Sequence, residues 1–175
     1  VPAYISNSSG SWTGLRCTQN FISLFTDHSG TTDRRAQFWD SAQNLQMKDL
    51  YTAADGLSTF KFRNWTRDSL PPAHQDYKKD FSDIDFPLFR LGEIYLIYAE
   101  SVLRGGTGGD QGTALQYINR LRERAYGNTG AGDITSGDLT TDFILDERGR
   151  ELYYEAFRRT DLIRYKKFTT SSYLW

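Results

Sequence analysis

The second half of the chain, from Asp85 to Tyr165, has an apolar pattern typical of three successive helices. The three stretches read FPLFRLGEIYLIYAESVLRGG, ALQYINRLRERAYGN and ILDERGRELYYEAFRRTDLIRY. In each, apolar residues recur at intervals of three or four and so share one helix face. The pattern predicts a mainly α fold, with a helical hairpin followed by a long helix.

The first of these helices is the most apolar. Its main stripe is widened by further apolar residues, and only a narrow charged stripe remains. We therefore expect protein to enclose most of this helix. Gly105 and Gly106 follow and provide a stop signal. The main stripe is Leu91, Ile94, Tyr95, Tyr98 and Val102, the wider face adds Leu88, Leu96, Ala99 and Leu103, and the charged stripe is Arg90, Glu93, Glu100 and Arg104.

The second helix places Ala114, Ile118 and Leu121 on one side and mostly basic residues on the other. A short glycine-rich turn joins it to the first helix, which predicts an antiparallel hairpin. The spacing is compatible with a helical-repeat unit of about 34 residues. A phosphate-binding loop is disfavoured, because the glycines follow a helix and lack the Gly-Lys-Ser/Thr ending.

Residues 1–84 are different, because they are rich in small polar residues with aromatics spaced through them. We predict a helix from Thr18 to Phe25, a strand from Thr59 to Trp65 and a second short strand from Ala36 to Trp39. Alternation along 59–65 puts the two phenylalanines on one side and Trp65 on the charged side. The predicted organisation is one domain, with a loop-rich region at 1–84 and a helical region at 85–168.

Composition removes several classes of function. The net charge is −1, so nothing indicates a nucleic-acid partner. A single cysteine, Cys17, permits no internal disulfide and no thiolate metal site, and only two histidines are present. We expect no cofactor, no metal and no membrane-spanning segment. The first residues do not resemble a signal peptide. The chain also ends on aromatic residues, so we expect a fragment of a larger protein.

The acid–arginine run of the third stretch has two opposite interpretations. Glu147, Glu151 and Glu155 recur every four residues, as a metal-binding or catalytic carboxylate cluster could. However, a di-metal bundle needs Glu-x-x-His motifs, and no histidine follows His74. Neighbouring arginines lower carboxyl pKa values, which is unsuitable for a general acid. We therefore predict structural ion pairing and no catalytic residue.

Exposed aromatic rings are the best candidates for ligand contacts. Tryptophan and tyrosine in polar, loop-rich surroundings offer a flat face with a polar edge. Trp12, Tyr4, Trp39 and Trp65 have such surroundings. Burial in the core is the alternative for each of them.

The helical half also resembles the SusD/RagB family. The resemblance covers about half of the chain, in the order and spacing of the family's C-terminal signature, and a weaker likeness extends over Trp12 to Arg35. The motifs are Arg90-Leu91-x-Glu93-Ile94-Tyr95-Leu96, Tyr98-Ala99-Glu100, Asn119-x-x-Arg122, Glu147-Arg148-x-x-Glu151-Leu152, Glu155, Arg158 and Asp161-Leu162-Ile163-Arg164.

The resemblance implies a lipid-anchored protein on the outer face of the bacterial outer membrane. Such proteins bind oligosaccharides without catalysis and cap a SusC-like TonB-dependent transporter. It also implies a longer protein with tetratricopeptide-like helices, whose anchoring cysteine lies in an N-terminal part; Cys17 is in no lipobox. The sequences of the glycine-rich insert and of RERAYGN most resemble those of starch-binding members, so an α-glucan is the first expected ligand. The resemblance carries over Tyr4 and Trp12 as sugar-site residues.

Two other functions remain open. A helical-repeat interaction module would bury a large apolar patch on a partner protein and ignore sugars. A carbohydrate-active enzyme would hold two carboxylates in one cleft with perturbed pKa values.

Overall fold

The computed structural model describes residues 1–8, 15–74, 77–78, 80–127 and 129–174. The chain divides into two compact units. The first unit comprises Val1–Ser23 and Gln37–Phe86, and the second comprises Leu24–Ala36 and Pro87–Leu174. Trp12 lies outside the described residues.

The first unit holds little regular structure. Helices α1 (Ala3–Ser6) and α2 (Gln19–Ile22) are one turn each. Strands β1 (Phe38–Trp39) and β2 (Ser58–Thr59) pair antiparallel, with Phe38 opposite Thr59 and Trp39 opposite Ser58. Beyond them, buried Cys17 exchanges two backbone hydrogen bonds with Leu57, at 2.7 and 3.2 Å. The unit is therefore loop-rich with short strands, as the sequence predicts.

Two predicted elements of this unit are correctly placed but shorter than expected. The helix predicted from Thr18 begins there, because the Thr18 hydroxyl accepts a hydrogen bond from the Phe21 amide at 3.3 Å. It ends at Ile22 rather than Phe25, since the Ser23 hydroxyl donates to the Asn20 carbonyl at 2.8 Å. Such local side-chain bonds compete with helix propagation. The strand predicted at Ala36–Trp39 is limited to its last two residues.

The predicted strand from Thr59 to Trp65 is wrong for most of its length. Only Thr59 lies in β2, although the Phe60 amide still donates to the Gln37 carbonyl at 3.0 Å. Before Gln37 the partner segment turns, with the Ala36 amide bonded to the Asp33 carbonyl at 2.9 Å. Within the described residues, β1 therefore has no extended continuation before Gln37 that could pair with residues 61–65.

The second unit contains the helices that the sequence predicts. Helix α3 (Leu91–Leu103) and helix α4 (Gln111–Ala125) form the hairpin, followed by a short 3₁₀ turn at Gly130–Gly132, helix α5 (Thr141–Leu152) and helix α6 (Arg158–Arg164). Gly105, at φ +86°, ends α3 in a Schellman motif, in which Gly106 bonds to the Ser101 carbonyl at 2.8 Å. Asp110 caps α4 by accepting from the Thr113 amide at 2.8 Å.

The segment predicted as one long helix is divided between α5 and α6. The corner between them places two non-glycine residues in the left-handed region, Tyr154 at φ +61° and Ala156 at φ +65°. Glu155 lies between them and is buried. The corner thus surrounds a single buried carboxylate. Neither glycine nor proline marks this corner in the sequence.

The core of the second unit lies between α3, α4 and α5. It is built mostly of aliphatic and small side chains, so the helices approach closely. Partly buried tyrosines close one side, with Tyr95 stacked on Tyr117 at 4.4 Å between ring centres. The buried residues of this core are Leu96, Ala99, Ala114, Ile118, Leu121, Leu139, Ile144 and Leu152.

The prediction that protein encloses α3 is wrong for one of its faces. Leu91, Ile94 and Ile97 are 61%, 49% and 43% exposed, whereas Glu93 and Glu100 are 7% and 6% exposed. The inward face therefore carries the acids, and an apolar row faces outward. The reason at Glu100 is ion pairing within the unit, described below. None of the helices in the described ranges is long and apolar enough to cross a membrane.

The Schellman turn gives a test of the hairpin. A Cβ on Gly105 would meet no atom within 4 Å, so Gly105→Ala would change only the backbone energy at φ +86°. We expect it to lower the free energy of unfolding by about 1–2 kcal/mol. Gly137→Ala is the matched control, because Gly137 is outside the left-handed region and a Cβ there would make an ordinary 3.7 Å contact. Chemical denaturation of both variants measures the difference; equal stabilities would contradict the motif.

Candidate functional site

The first candidate site is the acid–arginine run, and Glu147 on α5 is at its centre. Its carboxylate is fully buried and contacts three guanidinium groups: Arg35 at 2.8 Å, Arg122 of α4 at 2.9 Å and Arg150 at 2.8 Å. Burial, the largest single influence, raises the pKa of Glu147, but the three positive charges together outweigh it and lower the pKa to about 2. Glu147 is therefore a fixed anion.

Glu151, one turn further along α5, is paired in the same way. It accepts from Arg90 and Arg124, both at 2.6 Å, and from Arg35 at 3.1 Å. Burial raises the pKa of Glu151, but these arginines together outweigh burial and lower the pKa to about 2. Arg90, the residue just before α3, also holds Glu155 through two bonds of 2.6 and 2.8 Å. One arginine thus connects α3 to both α5 and the corner.

Two further acids of the second unit, Asp161 and Glu100, are paired as well. Arg148 and Asp161 are both buried and lie 2.8 Å apart. Glu100 accepts from Arg104 at 2.9 Å and from Arg164 at 2.9 and 2.8 Å. The prediction of structural ion pairing is confirmed by this geometry. In the described residues, no group of three or more histidine, cysteine, aspartate or glutamate side chains could hold a metal ion.

The second candidate site is a cavity of about 540 Å³ in the first unit. Two of the four predicted aromatic residues line it: Tyr4, which is 73% exposed, and half-buried Trp65. Trp39 is half-buried in β1 and does not line this cavity. Of the three candidates that the structure describes, Tyr4 and Trp65 are therefore the two that the fold brings together. The described residues of the lining are Tyr4, Ile5, Lys61, Arg63, Trp65, Thr66, Arg67 and Ser69.

Hydrogen bonds across 57 or more residues of sequence hold the two sides of the cavity together. The Trp65 indole donates to the Ile5 carbonyl at 3.0 Å. The buried side chains of Asn7 and Asn64 each donate to the other's backbone carbonyl, at 2.7 and 3.4 Å. These bonds position α1 against residues 64–65. The Trp65 indole edge is consequently occupied by the protein, and the exposed part of its ring is what a ligand could contact.

Sequence reasoning missed the three basic residues of the lining, Lys61, Arg63 and Arg67. A signal for two of them was present. Alternation along 59–65 places Lys61 and Arg63 on the same side as Trp65. Arg67 and Ser69 lie beyond that stretch, in a turn where the Thr66 amide bonds to the Leu70 carbonyl at 2.8 Å. No pattern in the sequence marks this turn as part of a site.

Comparison with known proteins assigns the class. Residues 41–174 match the model of the SusD family, and the chain belongs to this family. It is 42% identical over 133 residues to the starch-binding protein SusD of Bacteroides thetaiotaomicron, which corresponds to 76% of this chain and 22% of that protein. It is also 39% identical over 82 residues to the SusD-like protein P25 of Formosa agariphila, or 45% of this chain and 15% of the relative.

A solved structure supports the same class. The crystal structure of a SusD superfamily protein from Bacteroides vulgatus matches with a TM-score of 0.52 and 28% sequence identity, over 78% of this chain and 26% of the other. The chain thus spans about a quarter or less of the length of these relatives. The family and the mainly α fold that the sequence indicates are both confirmed.

The ion-pair network makes a first prediction about stability. Glu151→Ala leaves three arginines without their shared carboxylate, and removing one partner of a buried pair costs about 3–5 kcal/mol. Glu123→Ala, at an exposed position on α4, is the control and should change stability by under about 0.5 kcal/mol. Denaturant titration gives both values. A Glu151→Ala protein as stable as its parent would contradict a structural role for this residue.

The network also predicts a dependence of stability on pH. The pKa values of Glu147 and Glu151 are about 2 in the folded chain, against 4.5 for a free glutamate. Below pH 4.5 the unfolded chain takes up protons first, so this stabilisation is complete above pH 4.5 and is lost as the pH falls toward 2. Each of the two carboxyl groups contributes at most about 1.4 kcal/mol per pH unit to the slope of the free energy of unfolding against pH.

Chemical denaturation between pH 6 and pH 3 measures that slope. Glu147→Gln removes one of the titrating groups and should therefore give a shallower decline than the parent over the same range. Parallel curves for the two proteins would show that Glu147 does not contribute to acid sensitivity.

Proposed function

We propose that this chain is part of a protein that binds oligosaccharides without catalysis at the bacterial cell surface. The observation that carries the proposal is the cavity that brings Tyr4 and Trp65 together in a chain of the SusD family. One face of a pyranose ring carries C–H groups that can pack on an aromatic ring, while its hydroxyl groups remain hydrated or hydrogen-bonded at the rim. Tyrosine and tryptophan order at low entropic cost, because each has two side-chain torsions.

The first candidate ligand is an α-glucan, because the relative with 42% identity is named a starch-binding protein. The likeness to this relative also motivates the setting that we propose. The protein would be lipid-anchored on the outer face of the outer membrane through a part preceding this chain, and would pass glycan to a SusC-like TonB-dependent transporter. Trp12 remains a proposed contact, and Trp39 a weaker one, since Trp39 lies apart from the cavity.

The carboxylates of the described residues favour binding over hydrolysis. A glycosidase needs two carboxyl groups flanking the bond to be cleaved, one of them with a raised pKa. The described lining of the cavity contains no acid. The buried glutamates Glu147 and Glu151 have lowered pKa values and contact arginines on several sides, so neither is suited to donate a proton.

One observation favours a second function, contact with a partner protein. The exposed row of Leu91, Ile94 and Ile97 on α3 is the kind of apolar surface that protein partners cover. The two functions are compatible, since the row and the cavity belong to different units of the chain.

Affinity electrophoresis in gels containing starch or other glycans tests the proposal. We expect migration to be retarded, and incubation with maltoheptaose to produce no new reducing ends. Tyr4→Ala should weaken binding at least about tenfold, or about 1.4 kcal/mol. Tyr51→Ala is the matched control, since Tyr51 is 98% exposed and does not line the cavity.

Two results would contradict this proposal. Carbohydrate hydrolysis by the parent protein that is lost in carboxylate variants would show an enzyme rather than a binding protein. Migration unaffected by any glycan would contradict carbohydrate binding and leave contact with a partner protein as the remaining function.

A further inference from the structure

The described lining of the cavity in the first unit carries basic and no acidic side chains. Three of the residues that line it, Lys61, Arg63 and Arg67, are basic, and none of the described lining residues is acidic. This is a local property, because the whole chain has a net charge of −1. A basic group on a convex surface is usually solvated and needs no explanation. Here the three groups converge on one concave space together with two aromatic rings.

The arginines of the two units differ in how they are used. In the second unit, arginines such as Arg35, Arg90 and Arg122 contact carboxylates of the protein itself. In the first unit, no carboxylate of the described residues lies within ion-pairing distance of Arg63 or Arg67, and both are exposed. Their guanidinium groups therefore retain their capacity to bind an anion from solution.

Aromatic contacts hold two of the basic groups in place. The Arg63 guanidinium lies 5.6 Å from the centre of the Phe60 ring, and the Lys61 ammonium lies 5.5 Å from that of Phe62. A cation at this distance from a ring face is attracted to it. This attraction limits the conformations of both side chains. A ligand consequently loses less entropy in ordering them than it would with unrestrained side chains.

We infer that this cavity binds an anionic carbohydrate, one that carries carboxylate or sulfate groups. A guanidinium group donates two parallel hydrogen bonds to either anion, and these charge-assisted bonds are about twice as strong as neutral ones. Tyr4 and Trp65 supply the stacking faces for the sugar ring, and Thr66 and Ser69 supply hydroxyl groups for the rim. The volume of about 540 Å³ is typical of a small-ligand site.

This inference rests on the proposed function of oligosaccharide binding, and it replaces the neutral α-glucan, the first candidate ligand, with an anionic glycan. A neutral α-glucan would use the two rings and leave Arg63 and Arg67 without a role. An anionic glycan uses both the rings and the charges. Single-stranded nucleic acid also combines stacking with negative charge, and the test includes it as a separate probe.

The experiment compares four probes by isothermal titration calorimetry: oligogalacturonate, a sulfated galactan oligosaccharide, maltoheptaose and a single-stranded oligonucleotide. We expect one or both acidic sugars to bind at least about tenfold more tightly than maltoheptaose, because charge-assisted bonds add to stacking. Raising sodium chloride from about 50 to 500 mM should weaken that binding and leave any maltoheptaose binding unchanged. The two acidic sugars distinguish carboxylate from sulfate.

Two single variants test which arginines bind the acidic sugar. Arg63→Gln and Arg67→Gln should each weaken binding of the acidic sugar at least about fivefold, through loss of a charge-assisted hydrogen bond. Arg120→Gln is the matched control. Arg120 is exposed on α4, and its substitution removes the same charge from the other unit. All three positions are exposed, so folding should be preserved, and circular dichroism checks it. The salt dependence of the parent protein tests the inference independently of any variant.

The outcomes separate this inference from the function on which it rests. Maltoheptaose binding that requires Tyr4 but neither arginine would overturn the inference and leave carbohydrate binding in place. Equal affinity for the oligonucleotide would overturn it as well, since the cavity would then select charge rather than sugar. Failure of every carbohydrate to bind would overturn both.

Discussion

The buried carboxylates of α5 are the constraint that organises the second unit. An unpaired anion in a protein interior is very costly, so Glu147 and Glu151 can be buried only if arginines reach them. Those arginines come from three other places: the segment 24–36, the residue before α3 and the last turn of α4. Satisfying the charges therefore fixes how far each segment is shifted along α5.

The same constraint decides how α3 is rotated about its axis. Glu100 faces inward to meet Arg164, whereas Ile94 and Ile97 are largely exposed. Gly92 reflects this crowding, since a Cβ there would lie 2.7 Å from Arg90 and 2.9 Å from Glu151. Hydropathy alone assigns charges to the surface, so it wrongly predicted Glu93 and Glu100 outside and Leu91 and Ile94 inside, although it placed Leu96 and Ala99 correctly in the core. The helices and their hairpin followed from apolar periodicity and paired glycines, which are local signals, whereas rotation depends on partners distant in sequence.

The first unit was harder to predict, for a related reason. Its elements are two to four residues long and carry no period that a pattern could detect. Tyr4 and Trp65 were recognised as candidates from their polar surroundings, but their proximity depends on reciprocal bonds between Asn7 and Asn64. The strand expected at 59–65 failed because its partner turns away. Arg63 and Trp65 nevertheless line the same cavity, although residues 61–65 form no strand.

The corner between α5 and α6 has a consequence for the order in which the chain folds. Tyr154 and Ala156 adopt left-handed backbone conformations, at a local cost of about 1–2 kcal/mol each. One contact that offsets this cost is the pair between Glu155 and Arg90, residues 65 positions apart. Local sequence therefore opposes the corner until the start of α3 is in place. We therefore expect the corner to close only after the start of α3 is in place.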